Sequence, residues 1–104
     1  PPPLPLVLGP LVIDVAQHAI TKHGMPLQLT PREFALLVTL ASHPGRVFTR
    51  NQLLERIWGD AVYDDHVVDV HMNNLRKKLE DDSAHPRYID TVRGVGYRFH
   101  AVGA

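Results

Sequence analysis

The chain has 104 residues, of which 44% are hydrophobic and 21% are charged, and this composition is typical of one small globular domain. It contains no cysteine, which excludes disulfide frameworks and thiolate metal sites, and no apolar run approaches the roughly 20 residues of a membrane-spanning helix. Eleven Lys and Arg residues balance eleven Asp and Glu residues. A surface for an anionic partner must therefore come from the arrangement of the charges rather than from their excess.

The N-terminal segment is predicted to be a linker followed by a small antiparallel sheet. Residues 1–5 contain four prolines, which favour an extended conformation, and we expect them to be the remnant of a linker from a longer protein. The sheet is predicted because short apolar runs alternate with turn residues. These runs are residues 6–8, 11–15, 19–21 and 27–29. The domain itself is expected to cover residues 6–100, with 101–104 as a tail.

Two capping boxes mark the starts of two helices. In each box a threonine is followed three residues later by Glu or Gln, as in Thr30 with Glu33 and Thr49 with Gln52. Pro31 occupies the first helical position of the earlier helix, where proline is favoured. Apolar residues follow each box at helical spacing until a glycine ends the pattern.

A third helix is predicted at about residues 64–80, with Asp64 or Asp65 as its N-cap. At about 100° per residue, four apolar side chains form a narrow core seam. These are Val68, Met72, Leu75 and Leu79. The opposite side carries His66, Val70, Asn73 and Lys77, with Asn74 beside them. Asn amides can hydrogen-bond to base edges and Val can contact a thymine methyl, so we interpret this side as a surface for the DNA major groove; the alternative is an indifferent polar surface.

A hairpin is predicted at about residues 88–99, with Arg93-Gly94-Val95-Gly96 joining its strands. Thr91 and Arg93 can donate hydrogen bonds to phosphate or enter a narrow minor groove. We interpret the hairpin as a wing beside a recognition helix, although such a hairpin is also common as a plain structural edge. Two basic clusters, residues 76–78 and the pair Arg93 and Arg98, are expected to give a neutral chain one basic face.

Together these motifs resemble the winged helix-turn-helix output domain of OmpR/PhoB-type bacterial response regulators. The matching stretches are residues 29–37, 50–54 with 58–59, 68–71, 75–79 and 91–97. The likeness runs from about Leu6 to Phe99. It implies an α+β fold with an N-terminal four-stranded antiparallel sheet, three helices and a C-terminal β-hairpin wing.

The resemblance also implies which residues contact DNA. The family's roles fall on His71, Asn73, Asn74 and Arg76 of the third helix and on Thr91 and Arg93 of the wing. His66 stands where the family commonly has Arg, so a contact there is expected to be weak or to require protonation. His71 has a second interpretation, since its place on the helix also suits half-buried packing.

The resemblance implies double-stranded DNA as a partner, bound at direct-repeat half-sites by a tandem dimer. The domain alone is expected to be monomeric. RNA polymerase is expected to touch the loop before the third helix, formed by Gly59, Asp60, Ala61, Val62 and Tyr63. An upstream receiver domain, served by a sensor histidine kinase, would control the output. Transcription regulation in the cytoplasm is the expected function.

Other chemistry has little support in the sequence. Asp65, His66 and Asp69 have near-ligand spacing, but no second cluster joins them, so we expect no metal and no cofactor. Asp69 is expected to pair with a basic group instead. No nucleophile motif or phosphate-binding glycine loop appears, and no enzymatic activity is expected. The alternative function is a winged helix that binds only proteins, which would expose a larger apolar patch on the third helix.

Overall fold

The computed structural model describes residues 5–59 and 64–100, and these residues form two sheets and three helices. The N-terminal strands are β1 (Leu6–Leu8), β2 (Leu11–Asp14), β3 (Ala19–Lys22) and β4 (Met25–Pro26). The helical part holds α1 (Pro31–Ala41), β5 (Phe48–Thr49), α2 (Arg50–Trp58) and α3 (His66–Leu79). The hairpin is β6 (Ile89–Val92) and β7 (Gly96–Phe99). This order confirms the predicted winged helix-turn-helix architecture.

The N-terminal sheet is antiparallel in the order β1-β2-β3-β4, as predicted. The predicted position of the fourth strand, residues 27–29, was wrong, because β4 lies at Met25–Pro26. His23 and Gly24 both have positive φ, 51° and 77°, and form a tight turn. Such a two-residue turn brings Met25 directly opposite Lys22, so pairing begins at once. Beyond Pro26 it continues only through the hydrogen bond from the Leu27 N–H to the Ile20 carbonyl oxygen.

Both predicted capping boxes are present. The Oγ1 atom of Thr30 accepts from the Glu33 N–H at 3.2 Å, and a Glu33 carboxylate oxygen accepts from the Thr30 N–H at 3.0 Å. Thr49 and Gln52 repeat this arrangement at 3.1 and 2.9 Å. Each box satisfies backbone donors that an isolated helix start would leave unpaired, and so fixes where the helix begins.

The start of α3 is capped differently. Asp65, one of the two predicted N-caps, makes no capping hydrogen bond through its side chain. Asp64 supplies the acceptor instead, since its Oδ1 atom lies 3.0 Å from the His66 backbone nitrogen. The predicted acidic start of the helix is therefore confirmed, with Asp64 as the residue that binds the backbone.

One core joins the sheets and the helices. The predicted seam of α3 is confirmed, because Val68, Met72, Leu75 and Leu79 are all fully buried. Leu36, Leu37 and Leu40 of α1 and Leu53 of α2 are buried in the same cluster. Because α3 uses only this narrow seam for the core, its other sides are available for contacts with α2, the hairpin and outside partners.

The hairpin is held by a third strand that the sequence did not predict. β5 pairs with β7, giving a three-stranded sheet in the order β5-β7-β6. The two backbones approach closely at Gly96, where an added Cβ atom would overlap the carbonyl oxygen of Phe48 and lie 2.9 Å from the Cα atom of Thr49. Gly96 is therefore required by this strand contact rather than by a turn. None of the helices in the described part of the chain is long and apolar enough to cross a bilayer.

Candidate nucleic-acid interface

The outer side of α3, opposite its core seam, is open to solvent. His66, Asn73, Asn74 and Lys77 are exposed there, and Val70 is 57% exposed. These are the residues that the sequence predicted for this side. The structure therefore brings amide donors and acceptors, one cation and one apolar side chain together on one helix face.

The side of α3 that faces α2 holds His71. This residue is half-buried, and its ring meets the Trp58 ring edge-on, with the ring centroids 5.2 Å apart. This contact supports the packing interpretation of His71. A phosphate contact by the same ring stays a prediction.

Asp69 lies between the core seam and the outer side, and it has the basic partner that was predicted. Its Oδ1 atom accepts from the Nε–H of Arg50 at 2.9 Å and from the Tyr97 hydroxyl at 2.5 Å. The His66 Nδ1 atom lies 3.6 Å from Oδ2. Burial raises the pKa of Asp69, but the hydrogen bonds from Tyr97 and Arg50 outweigh it and hold the pKa below its usual value. The carboxylate is therefore charged at neutral pH and joins α2, α3 and β7.

The Arg76 side chain packs against the wing instead of extending into solvent on the outer side of α3. Its guanidinium donates from Nη2 to the carbonyl oxygen of Ile89 at 3.1 Å and to the Thr91 hydroxyl at 2.6 Å. The group lies over the Tyr97 ring, 5.2 Å from its centroid. Its Nε atom is buried without a hydrogen-bond partner among the described residues. The predicted DNA contacts of Arg76 and Thr91 stay predictions, and they compete with this link between α3 and β6.

The tip of the wing presents Arg93 to solvent. The turn is closed by a hydrogen bond from the Val95 N–H to the Val92 carbonyl oxygen at 2.9 Å, with Gly94 at φ 75°. Among the described residues, no hydrogen bond or ion pair involves the Arg93 side chain. A cleft of about 390 Å³ separates this turn from the start of α2, where Thr49 lines it.

The expected basic face is smaller than the sequence suggested. Consecutive residues of a helix point in different directions, so the cluster at 76–78 divides. Arg76 faces the wing, Lys78 binds the buried Glu33 at 2.7 Å, and Lys77 alone of the three lies on the outer side. Arg98 in turn lies 3.3 Å from Asp90. The expectation that residues 76–78 form one basic face was therefore wrong.

The cluster with near-ligand spacing in the sequence, Asp65, His66 and Asp69, is not the group that the structure brings together. Asp64, Asp65 and His66 have potential ligand atoms within 4.8 Å of one another. Asp69 is instead occupied by Arg50 and Tyr97. Helix capping explains the place of Asp64, so the cluster gives no reason to assign a metal.

Three residues that hold this interface in place were missed by the sequence analysis. The buried carboxylate of Glu80 accepts from the backbone N–H groups of Arg87, Tyr88 and Ile89 at 2.7–3.1 Å, and so fixes the start of β6. Lys22 of β3 donates to the Leu79 carbonyl oxygen at 2.7 Å, at the end of α3. Arg50 supports Asp69. No local pattern marks such residues, because their partners are distant in sequence or are backbone atoms.

The loop predicted to touch RNA polymerase is only partly described. Gly59 ends α2 with φ 69°. Asp60, Ala61, Val62 and Tyr63 lie outside the described residues. Their proposed contact stays a prediction.

Comparison with known proteins decides the family. The family model described as "Transcriptional regulatory protein, C terminal" matches residues 24–99. The chain belongs to this family. Among curated relatives, the DNA-binding response regulator MtrA of Mycolicibacterium smegmatis is 48% identical over 94 residues, covering 89% of this chain and 41% of the relative. The phosphate regulon transcriptional regulatory protein PhoB of Klebsiella pneumoniae is 48% identical over 92 residues, covering 88% and 40%.

Solved structures agree with this assignment. The Klebsiella pneumoniae RstA DNA-binding domain, in complex with the RstA box, is 37% identical with a TM-score of 0.85, covering 92% of this chain and 96% of that one. The Thermotoga maritima response regulator DrrB, an OmpR/PhoB homologue, is 40% identical with a TM-score of 0.87, covering 93% and 44%. The resemblance to OmpR/PhoB-type winged-helix DNA-binding domains is therefore confirmed. The chain spans about two-fifths of the length of the curated relatives that it matches.

Proposed function

We propose that this OmpR/PhoB-type domain binds double-stranded DNA sequence-specifically, with α3 in the major groove and the wing on the backbone or the adjacent minor groove. The observation that carries the proposal is the outer side of α3. Among the described residues, the side chains of Asn73, Asn74 and Lys77 make no hydrogen bond or ion pair, while the other sides of the same helix face the core, α2 and the wing. A helix presented in this way fits the width of the major groove.

The chemistry of this side suits the reading of bases. An Asn amide both donates and accepts, which matches the N7 and N6 atoms of adenine, and an exposed Val can contact a thymine methyl. Asn73 and Val70 supply these two groups from neighbouring positions on the surface of α3. Lys77 and Arg93 add cations at the helix and the wing tip, where phosphate contacts would set the register on the duplex.

The exposed surface of α3 and the wing does not favour the alternative of a winged helix that binds only proteins. That alternative calls for a broad apolar patch on α3 and the wing. Among the described residues, the large apolar side chains exposed there are Val70 and Val95, at 57% and 49%. Both stand among polar or charged neighbours in the described part of the chain.

The partners are also proposed. MtrA and PhoB are each more than twice as long as this chain, which supports an upstream receiver domain controlled by a sensor histidine kinase. We propose tandem binding to direct repeats and contact with RNA polymerase through residues 59–63. Regulation of transcription would take place in the cytoplasm, where bacterial DNA lies.

Selection of bound duplexes from a random pool would test the function. We expect one enriched motif, with affinity for it well above that for a shuffled duplex and falling as the salt concentration rises. A variant lacking the Lys77 and Arg93 charges should lose affinity for both duplexes, while Gln28→Ala, an exposed change outside the interface, should not. A pool that shows no enriched motif would contradict the proposal.

A further inference from the structure

The two strands of the wing are tied separately to the recognition helix α3. Arg76 binds the outer strand β6 at Ile89 and Thr91. Asp69 binds the inner strand β7 through the Tyr97 hydroxyl. The wing therefore has two links to side chains of α3 itself, in addition to the Glu80 carboxylate that holds the start of β6 and the backbone pairing with β5.

Both links leave α3 from one side of the helix. Asp69 and Arg76 are seven residues apart, which places them within about 20° of each other around the helix axis. This side lies between the core seam and the outer side. The wing is consequently fastened immediately beside the residues that would face the bases.

The link through Tyr97 is held by groups from α2 and α3. Tyr97 is 5% exposed, and its hydroxyl donates to a carboxylate that Arg50 also holds from α2. The Arg76 guanidinium covers the ring. A hydrogen bond to a charged acceptor, partly shielded from water in this way, is stronger than one between neutral exposed groups.

The backbone pairing with β5 leaves the tip of the wing unsupported. It consists of Phe48 opposite Tyr97 and Thr49 opposite Gly96, and it stops there. The turn with Arg93 projects beyond it. The buried packing of Ile89 and Phe99 anchors the base of the hairpin, and the side-chain links to α3 then help to set the orientation of the tip.

We propose that Tyr97 is a positioning residue for DNA binding. Its hydroxyl, held by Asp69, fixes the wing at the angle that allows Arg93 and the outer side of α3 to contact one duplex together. Two contact regions on a rigid body avoid the ordering cost of a loose wing, so the hydroxyl strengthens binding without touching DNA. This inference rests on the proposed function.

The test is a double-mutant cycle of Tyr97→Phe and Arg93→Ala, using the duplex selected from the random pool by the wild-type domain. We expect Tyr97→Phe alone to weaken binding by about 3- to 10-fold, because the wing must be ordered on binding. The fold-loss of affinity caused by Arg93→Ala is called the Arg93 factor. We expect it to be smaller in the Tyr97→Phe background than in the wild type, because a misplaced wing has already lost part of the Arg93 contact. A purely structural role for the hydroxyl would lower stability and leave the Arg93 factor unchanged.

Tyr88→Phe is the matched control. Tyr88 flanks the start of β6, and its hydroxyl makes none of the hydrogen bonds found among the described residues. This variant should keep both the wild-type affinity and the wild-type Arg93 factor. Asp69→Asn breaks the Arg50 ion pair and weakens the same link from the helix side, so it should shift the Arg93 factor in the same direction even if the Tyr97→Phe variant is too unstable to measure.

The outcomes separate the inference from the proposed function. Equal Arg93 factors in the wild type, Tyr97→Phe and Asp69→Asn would overturn the positioning role while leaving DNA binding intact. A wild-type domain that selects no duplex, or that is indifferent to Arg93→Ala, would remove the wing contact itself and the inference with it.

Discussion

Asn73 is the exposed residue best suited to read a base. It lies on the outer side of α3 beside Val70, and its amide can accept from and donate to adenine together. We predict that Asn73→Ala weakens binding to the preferred site by roughly 1–3 kcal/mol and relaxes the choice at one base pair. Folding should barely change, because the side chain points away from the core seam.

Binding of the wild type and Asn73→Ala to a set of single-base variants at fixed salt checks this prediction. An equal loss of affinity on every duplex would assign Asn73 to the DNA backbone instead. Unchanged affinity would favour the interpretation of this side as an indifferent polar surface.

Arg93 and Arg76 should behave differently, although both were expected from the sequence to contact DNA. Arg93 is exposed at the wing tip, so Arg93→Ala should reduce the slope of log affinity against log salt by about 0.9, as one lost phosphate contact does, with stability unchanged. Arg76 joins α3 to β6, so Arg76→Ala should lower the free energy of unfolding as well. Chemical denaturation and salt titrations of both variants would distinguish them. A stable Arg76→Ala domain with the larger change of slope would reverse these assignments.

Helix α1 is joined to α3 by a buried carboxylate, and this contact makes stability depend on pH. Burial raises the pKa of Glu33, but hydrogen bonds from Lys78 and Thr30 outweigh it, so the pKa lies below its ordinary value. A carboxyl group with a lowered pKa in the folded state stabilises the fold above its unfolded pKa. That contribution is lost as the pH falls through the folded value.

We therefore predict that Glu33→Gln lowers the free energy of unfolding at pH 7 by about 1–2 kcal/mol. The amide oxygen can still close the capping box, as Gln52 does for α2, so the change removes mainly the negative charge that pairs with Lys78. The difference from the wild type should shrink as the pH drops below the ordinary range of a carboxyl group. Lys78→Met should cost more at pH 7, because it leaves the buried charge of Glu33 unpaired. Urea unfolding at several pH values checks both, and a difference that does not depend on pH would contradict the prediction.

The helices and the seam of α3 could be predicted because their signals are local. A capping box spans four residues, and the apolar seam repeats within one helix. The strand β5 could not be predicted, since it has two residues and exists only by pairing with β7. Lys22 and Glu80 were missed for the same reason. Lys22 meets the end of α3 57 residues later in the chain, and Glu80 follows the helix in a run of acids that looks solvent-exposed.

The outer side of α3 was predicted well, whereas the division of the basic residues was not. Helical periodicity alone separates Asn73 from the core. It does not show that Arg76 will bend toward the wing or that Lys78 will find Glu33, because both depend on how the elements pack. Charge clusters in a sequence are thus a weaker guide to a binding face than helical position.

The domain as a whole has equal numbers of acidic and basic residues, and it offers few free cations to DNA. We predict that it is monomeric in solution and binds a single half-site weakly. Two domains on direct-repeat half-sites about one helical turn apart should bind more tightly than one. Sedimentation and titration of duplexes with one or two half-sites check this. A stable dimer at micromolar concentration without DNA would contradict the prediction.

The central claim is that the outer side of α3 and the tip of the wing form the DNA interface. The most direct test is a titration of the isotope-labelled domain with its selected duplex, monitored through the NMR chemical shifts of the backbone and Asn side-chain amides. We expect the largest changes at Val70, Asn73, Lys77 and the turn at 93–95, with small changes at Val7 and Val12 of the N-terminal sheet. Large shifts confined to that sheet, with α3 and the wing unaffected, would contradict the account.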